Sequence, residues 1–415
     1  MTDGRWIASL CLARVGFALI FVAYSASLGL LKQDWGLTSA QAGLIQSAWH
    51  VGYLVSLFAI GFLADRYGAK RTFLATSFAA CASGLAFALF ADGFVSALLL
   101  HGLAGLCSGG SYTPGMTLIA ERFPAVRRGR VMGYYLAAAS LGYALSLWLS
   151  SVLVITAGWR TALIACALGP VAAGLLSAWV LRGTRNVVHP AGYANPLRAL
   201  AEVWRNKPAM LAVWAYVFHS WELLGMWAWL PTYLGVVLAY GRESGTGAAG
   251  LGIAFAALTY LISMAGSIGG GVLSDRWGRT AVILLMSLAS LVCSFTFGWL
   301  IAAPVWIVVA VAIAYNLTAI GDSSIYSTAL TELVPAHCLG AAWALRSVLG
   351  FGFGAISPWV FGLVLDLGQD AGGVRADAAW GWAWTALGLG AMLGPIATLR
   401  LRALRESAQM AGGKR

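Results

Sequence analysis

The stretch GFLADRYGAKR at residues 61–71 follows a long apolar run and returns in weaker form as GVLSDRWGRTA at residues 271–281. The residues that match at an offset of 210 include Gly61 with Gly271, Asp65 with Asp275, Arg66 with Arg276, and Gly68 with Gly278. A second match, AERFPAVRRG at 120–129 with TELVPAHCLG at 331–340, lies at an offset of 211. Two matches at nearly the same offset indicate an internal duplication.

The composition around these repeats is that of a membrane protein. Of the 415 residues, 60% are hydrophobic and only 10% are charged, whereas soluble domains carry about 25% charged residues. The apolar runs are each long enough to span a bilayer, which takes about 20 residues. They predict twelve transmembrane helices, at residues 6–31, 42–64, 72–90, 94–119, 131–156, 160–182, 208–234, 248–274, 281–302, 304–330, 340–365 and 378–400.

The duplication divides these helices into six plus six. We predict an N-terminal six-helix bundle over residues 1–182, a cytoplasmic linker over 183–207, and a C-terminal six-helix bundle with a short cytoplasmic tail over 208–415. The linker contains glycine, proline, asparagine and several basic residues, a composition typical of a loop.

The basic residues predict the orientation. Most lysines and arginines fall in the termini and in the connections on the same side, whereas the other side holds only Lys32, Arg242 and Arg375, with Arg160 at a helix edge. By the positive-inside rule both termini are cytoplasmic, as in a multi-pass protein of the inner cell membrane. The net charge of +11 therefore reports membrane orientation, and we expect no nucleic-acid partner.

Motifs of enzymes are missing from the sequence. It has no phosphate-binding loop, no zinc-type spacing of His and Glu, and no G-x-S-x-G nucleophile motif. Its six cysteines are scattered and show neither metal-binding nor disulfide spacing. We expect no catalytic residue, no metal and no cofactor. Uphill transport would then be driven by an ion gradient, and we expect this to be a proton gradient. We expect the protein to be a monomer whose partners are a small-molecule substrate and the lipid bilayer.

The motif of residues 61–71 and its copy, in a chain with twelve predicted helices, resemble the major facilitator superfamily over nearly the whole length. The resemblance implies an all-α integral membrane protein with two six-helix bundles that works by alternating access. It also implies that helices 1, 4, 7 and 10 line a central cavity and that helices 3, 6, 9 and 12 face lipid. The motif would latch the halves when the cavity faces outward, which makes its members gating residues: Gly61, Asp65, Arg66, Gly68, Arg71, Asp275, Arg276 and Gly278.

The position of the aspartate in the motif, Asp65, also has a physical explanation that does not depend on the resemblance. Asp65 lies at the C-terminal end of helix 2, where the helix dipole disfavours a carboxylate unless a cation or another helix N-terminus lies close. Helix 11 begins near Gly340 on the same side of the membrane.

Ionisable side chains inside the predicted spans are few. Because a charge at mid-membrane costs about 2.5 to 3.5 kcal/mol, such residues usually face a bundle interior or a wet cavity. Helices 3, 6, 9 and 12 carry none of them, as expected for lipid-facing helices. They lie on helices 1, 2, 4, 7, 10 and 11: Arg14, His50, His101, His219, Glu222, Asp322 and Arg346.

Three of these residues are expected to meet in the cytoplasmic half of the membrane. Arg14, Asp322 and Arg346 together leave one excess positive charge, and the forked donors of arginine suit a carboxylate or another oxyanion. We predict that Arg14 and Arg346 hold the negative group of the substrate. The alternative is that Asp322 pairs with one arginine as a structural or gating bridge while the other reaches the lipid headgroups.

The remaining ionisable residues predict proton handling. His219 and Glu222 are three apart and share a helix face, and a buried carboxylate beside a histidine can exchange protons. His101 stands where many members of the resembled family have an arginine. We predict proton coupling through Glu222, Asp322, His101 and His219. Simple structural hydrogen bonding of Glu222, and a satisfied core histidine at 101, remain the alternatives.

Deep aromatic side chains complete the predicted substrate site, for which we select Tyr112, Trp221 and Tyr315. The predicted function is secondary active transport of a small organic anion, a carboxylate, coupled to protons. The alternative is a proton-coupled exporter of apolar or cationic compounds. Helix 5 lacks the Gly-Pro signature typical of drug–proton antiporters. This weakens the case for the exporter alternative but does not exclude it.

Overall fold

A computed structural model describes residues 2–188, 196–240, 245–370 and 376–414. Within these ranges the chain is built from α-helices and short 3₁₀ turns, without β-strands. The middle of the predicted linker, residues 189–195, lies outside the described residues, as do Arg242 and Arg375 of the predicted outer loops.

Eleven stretches of the described chain are long and apolar enough to cross a membrane. One of them, Val131–Val180, has 50 residues, or about 75 Å of helix, against a hydrocarbon core of about 30 Å. It contains two crossings, helix 5 (131–157) and helix 6 (159–180), because Gly158 leaves the helical conformation with φ 81° and ψ 165°. Twelve transmembrane helices are thereby confirmed. The other ten are helix 1 (Asp3–Asp34), helix 2 (Ser39–Tyr67), helix 3 (Ala69–Phe90), helix 4 (Phe94–Arg122), helix 7 (Lys207–Ala239), helix 8 (Thr246–Trp277), helix 9 (Arg279–Leu300), helix 10 (Val305–Leu333), helix 11 (Leu339–Gln369) and helix 12 (Asp377–Ala403).

Helices 2 and 8 end in the same kind of turn, at the second glycine of each motif copy. Gly68 has φ 88° and ψ 144°, and Gly278 has φ 97° and ψ 152°, a conformation that is open essentially to glycine alone. Asn186, after helix 6, donates to the carbonyl oxygen of Tyr67 at 2.7 Å. Lys414, after helix 12, donates to that of Asp275 at 2.7 Å. The segments that follow helices 6 and 12 thus fold back onto equivalent turns.

Helices 1, 4 and 10 are interrupted near their middles. Helix 1 breaks at residues 19–22, helix 4 passes through a 3₁₀ turn at Gly109–Ser111, and helix 10 breaks at Asp322. Irregular backbone at membrane depth is tolerated where it is buried in protein or lines a cavity, because its polar groups need partners. Helices 6, 11 and 12 are interrupted as well, at residues 168, 355–356 and 392, so such breaks are not confined to the helices expected to line the cavity.

The first half (helices 1–6) and the second half (helices 7–12) share one apolar core at only one end. We call the end with residues 2 and 414 the terminal face and the opposite end the far face. Toward the far face a single buried cluster joins Leu28 and Ile45 to Trp229 and Leu234 of the other half. Toward the terminal face the largest clusters each belong to one half, with Trp6, Phe73 and Ile119 in the first and Val213, Leu330 and Leu401 in the second.

Glycines near the two faces differ in the same way. Near the far face, a methyl group added at Gly43 would lie 2.1 Å from the carbonyl oxygen of Pro358, and one added at Gly362 would lie 2.1 Å from that of Ser39. Helices 2 and 11 therefore touch backbone to backbone there. Near the terminal face, an added methyl group meets no atom within 4 Å at any of four glycines on helices 2, 5, 8 and 11: Gly61, Gly133, Gly269 and Gly340. Among the described residues the two halves therefore touch backbone to backbone at the far face, whereas these four positions toward the terminal face are open.

Candidate functional site

Arg14 is a buried cation surrounded by hydroxyl groups. Its side chain lies on helix 1, its residue is 6% exposed, and its guanidinium donates to the hydroxyl of Ser111, in the interruption of helix 4. The guanidinium carbon lies 6.0 Å from the ring centre of Tyr112 and 5.6 Å from that of Tyr135. The hydroxyls of Tyr53 and Tyr143 are also within electrostatic range. Among the described residues Arg14 has no carboxylate partner.

Arg346, on helix 11, has a similar set of neighbours in the second half. Its guanidinium donates to the hydroxyl of Ser327 on helix 10 and lies over the ring of Tyr216 on helix 7, with 4.4 Å to the ring centre. It too has no carboxylate partner within the described part of the chain. In each half, therefore, one arginine contacts a serine hydroxyl and at least one tyrosine ring.

The expected meeting of Asp322 with the two arginines does not occur in the structure. Asp322 instead lies beside His219, with 2.9 Å between Oδ1 and Nδ1, and both side chains are almost fully buried. The ring of His219 packs against Tyr216 at 5.5 Å and Tyr326 at 5.4 Å. The reason is geometric: Asp322 stands at the break of helix 10, where its side chain meets helix 7.

Glu222 points into the interior of the second half. Its Oε2 accepts a hydrogen bond of 3.0 Å from the hydroxyl of Ser290 on helix 9, and the side chain of Tyr315 on helix 10 is a second polar neighbour of this carboxylate. His219 and Asp322 lie within electrostatic range of this carboxylate. The three side chains form one buried acid–imidazole group.

His101 lies apart from that group, in the first half. Its ring packs between Tyr24 at 4.6 Å and Phe87 at 4.7 Å, with Trp49 at 6.4 Å. Its predicted partner in proton handling, Glu222, belongs to the other half, so the structure does not bring the two together.

The three aromatic residues predicted to bind substrate are divided. Tyr112 lies beside Arg14, as expected. Trp221 instead packs against helix 12, where a methyl group added at Gly390 would lie 2.3 Å from the indole nitrogen. Tyr315 is fully buried within the second half, with its ring 5.8 Å from Trp384. Neither Trp221 nor Tyr315 shares the site around Arg14.

An aromatic cluster that the sequence analysis missed joins the two halves on the far side of Arg14. Trp227 lies 6.4 Å from Phe21, 5.7 Å from Tyr143 and 5.2 Å from Tyr260, between ring centres. Its indole donates to the side chain of Asn316 at 3.2 Å. Helical spacing gave no signal for Phe21, because this residue lies in the break of helix 1 at residues 19–22.

A polar pair on helix 2 lies next to this cluster. Gln46 and His50 are buried, with 3.2 Å between their Nε2 atoms, and Gln46 Oε1 and His50 Nδ1 have no partner among the described residues. Together with Ser25 and Trp227 they line a cavity of about 10 Å³, roughly the space of one water molecule.

The motif residues lie at the terminal face. Arg66, Arg71 and Arg276 are exposed, and the carboxylate of Asp275 lies 2.5 Å from Arg279, which also pairs with Glu332 at 2.9 Å. Arg279 thus joins the two repeated stretches of the second half, a role that the sequence analysis did not assign to it.

One group of side chains in the described part of the chain has metal-binding spacing. The ligand atoms of Glu202, His337 and Cys338 lie within 4.8 Å of one another, and a hydrogen bond from His337 lowers the pKa of Glu202. Glu202 and His337 are exposed at the terminal face, outside the site around Arg14.

Comparison with known proteins agrees with this architecture. The family model described as Major Facilitator Superfamily matches residues 9–395. The chain is 28% identical over 386 residues to a "probable sulfoacetate transporter" of Cupriavidus necator, covering 84% of this chain and 85% of that protein. It is 28% identical over 382 residues to a gallate transporter of Pseudomonas putida, covering 81% and 80%. The solved structure of a D-xylose–proton symporter aligns with a TM-score of 0.76 at 15% identity, over 97% of this chain and 98% of that chain, which is a likeness of fold.

Proposed function

The chain belongs to the major facilitator superfamily, as a multi-pass membrane transporter and not an enzyme, and we propose that it moves a small organic anion by alternating access coupled to protons.

The observation that carries the proposal is the environment of Arg14. A cation buried without a counter-charge is costly, and here hydroxyls and aromatic rings solvate the guanidinium without neutralising it. An incoming carboxylate or sulfonate would supply the missing charge and accept paired hydrogen bonds from the fork. The names of two relatives, a sulfoacetate transporter and a gallate transporter, support an organic anion.

The rest of the substrate would extend from Arg14 toward the far face. Phe21, Tyr143 and Trp227 offer an apolar and aromatic wall, and Gln46 and His50 offer unpaired hydrogen-bonding groups. Arg346 adds a second positive charge from the other half. These neighbours suit a compact organic acid with an additional polar group.

Proton coupling is assigned to the second half. Asp322 and His219 form a buried acid–imidazole pair at the break of helix 10, and the ring of Tyr216 lies between this pair and Arg346. Gain or loss of a proton there would change the net charge near the cavity, which is what coupling requires. Glu222 is the second carboxylate of the group. A proton role for His101 stays a prediction.

Orientation follows the positive-inside rule, with both termini cytoplasmic in the inner membrane. On that assignment the far face is outside, and a molecule closed at the far face is facing inward. The expected monomer and the absence of a cofactor remain predictions.

Uptake into proteoliposomes under an imposed pH gradient tests the proposal, with a panel of carboxylates and sulfonates as substrates. We expect pH-dependent uptake of at least one anion, lost in Arg14→Ala and kept in Arg400→Ala, a matched control at an exposed arginine at the end of helix 12. Wild-type uptake by Arg14→Ala would overturn the role of Arg14. The exporter alternative would be favoured if the protein protects cells against apolar or cationic toxicants, and if this protection is lost without the carboxylates but kept without the arginines.

A further inference from the structure

The contact between helices 2 and 11 at the far face contains one carboxylate, that of Asp366 on helix 11. Its Oδ1 accepts a hydrogen bond of 2.8 Å from the backbone N–H of Ser39, and its Oδ2 accepts one of 2.7 Å from that of Ala40. Ser39 and Ala40 are the first residues of helix 2. A side chain of the second half therefore caps a helix of the first.

The electrostatics of this contact are favourable. The first N–H groups of a helix lack partners within the helix and carry the positive end of its dipole, so that a carboxylate bonded to two of them makes strong charge-assisted hydrogen bonds. Lys32 brings a full positive charge to the same place, where its Nζ donates to the hydroxyl of Ser39 at 2.6 Å.

Helices 2 and 11 pack backbone to backbone around these hydrogen bonds. Gly362, one turn before Asp366, lies against the carbonyl oxygen of Ser39, and Gly43, one turn into helix 2, lies against that of Pro358. The capping bonds thus form only while helices 2 and 11 touch. Parting of these helices at the far face breaks both bonds.

We propose that Asp366 is the latch of the far-face gate, a positioning residue that favours the conformation described here and must release helix 2 each time the far face opens. The inference rests on the alternating access of the proposed function. Asp366 mirrors the expectation for Asp65 at the terminal face: Asp366, near the end of helix 11, holds the start of helix 2, and Asp65, near the end of helix 2, is expected to meet the start of helix 11 when the terminal face closes.

Distances between spin labels test the latch. Gln33 and Gln369 are exposed and line the same far-face cavity of about 590 Å³, so labelled cysteines there, in a chain whose native cysteines are replaced, report on opening. We expect Asp366→Asn to raise the ratio of long to short distances about tenfold, because the neutral amide keeps only one acceptor and no charge. Asp377→Asn is the matched control, since its carboxylate bonds to Tyr240 of the same half at 2.8 Å.

A second pair of variants isolates a single bond. Proline is favoured at the first position of a helix and lacks the N–H group, so Ser39→Pro removes one donor to Asp366 and leaves helix 2 free to form. Ser39→Ala keeps that N–H and loses only the hydroxyl. We expect Ser39→Pro to open the far face more than Ser39→Ala, and Asp366→Asn to add less in the Ser39→Pro background than in the wild type.

Two results would overturn the latch: an unchanged distance distribution in Asp366→Asn, or an equal shift in Asp377→Asn. The distances are measured without substrate. Failure of the proposed function is a separate result, in which no organic anion is taken up although the distances still respond to Asp366→Asn.

Discussion

The two halves arose from one repeated plan, yet they hold different kinds of buried charge. The first half contains Arg14, a cation that only hydroxyls and aromatic rings surround. The second half contains the acid–imidazole group of His219, Asp322 and Glu222, with Arg346 at its edge. The proposed function accordingly assigns the substrate's charge to the first half and the proton to the second.

The largest effect should come from removing the cation of the first half. Arg14→Ala should weaken anion binding about 100-fold, because two charge-assisted hydrogen bonds of about 1.5 kcal/mol each are lost. Arg346→Ala should weaken it less than tenfold, since Arg346 is partly exposed and better screened. Binding isotherms on purified protein measure both. Equal losses in the two variants would contradict the division between the halves.

The second effect concerns the proton. Asp322→Asn should abolish the accumulation of substrate that a pH gradient drives. With one proton carried per substrate molecule, a gradient of one pH unit can raise the substrate concentration ratio across the membrane by at most about tenfold. Exchange of labelled for unlabelled anion across the membrane should continue, because Arg14 is untouched. Glu222→Gln shows whether the second carboxylate shares the role, and His101→Phe shows whether the first half takes part. Loss of exchange in Asp322→Asn would place Asp322 in the substrate site instead.

A smaller effect distinguishes two tryptophans of helix 7. Trp227→Ala should raise the KM for uptake about fivefold, because it removes an aromatic contact worth about 1 kcal/mol at the junction of the halves. Trp221→Ala should leave KM unchanged, since Trp221 packs against helix 12. A larger change of KM in Trp221→Ala than in Trp227→Ala would indicate that the substrate site lies within the second half.

The smallest effect on transport is expected at the repeated turn. Gly68→Ala should destabilise the protein by about 1–3 kcal/mol, the cost of a strained backbone conformation, with added crowding because its methyl group would lie 2.2 Å from the side chain of Asn186. Gly61→Ala, where an added methyl group meets nothing within 4 Å, should melt like the wild type. Thermal unfolding in detergent compares them, and equal midpoints would contradict the role given to the Gly68 turn.

Much of the fold was accessible from the sequence, because length and hydrophobicity alone decide which segments can cross a bilayer. All twelve crossings were expected, and the one ambiguous stretch is divided by Gly158, between the predicted helices. The candidate site was less accessible. Arg14 and Tyr112 lie together as expected, but Trp221 and Tyr315 face other helices, and Trp227, Gln46 and Asn316 were missed.

The sequence by itself determined the membrane class, the twelve helices, the duplication and the few positions where charge is buried, since each of these depends on composition and on order along the chain. Only the tertiary structure decided which buried groups meet. Asp322 contacts His219 instead of an arginine, Glu222 bonds to Ser290, and Asp366 caps a helix that begins 327 residues away. The reason is that transmembrane helices are apolar on every side, so their pattern does not tell which face turns inward, and packing sets that rotation.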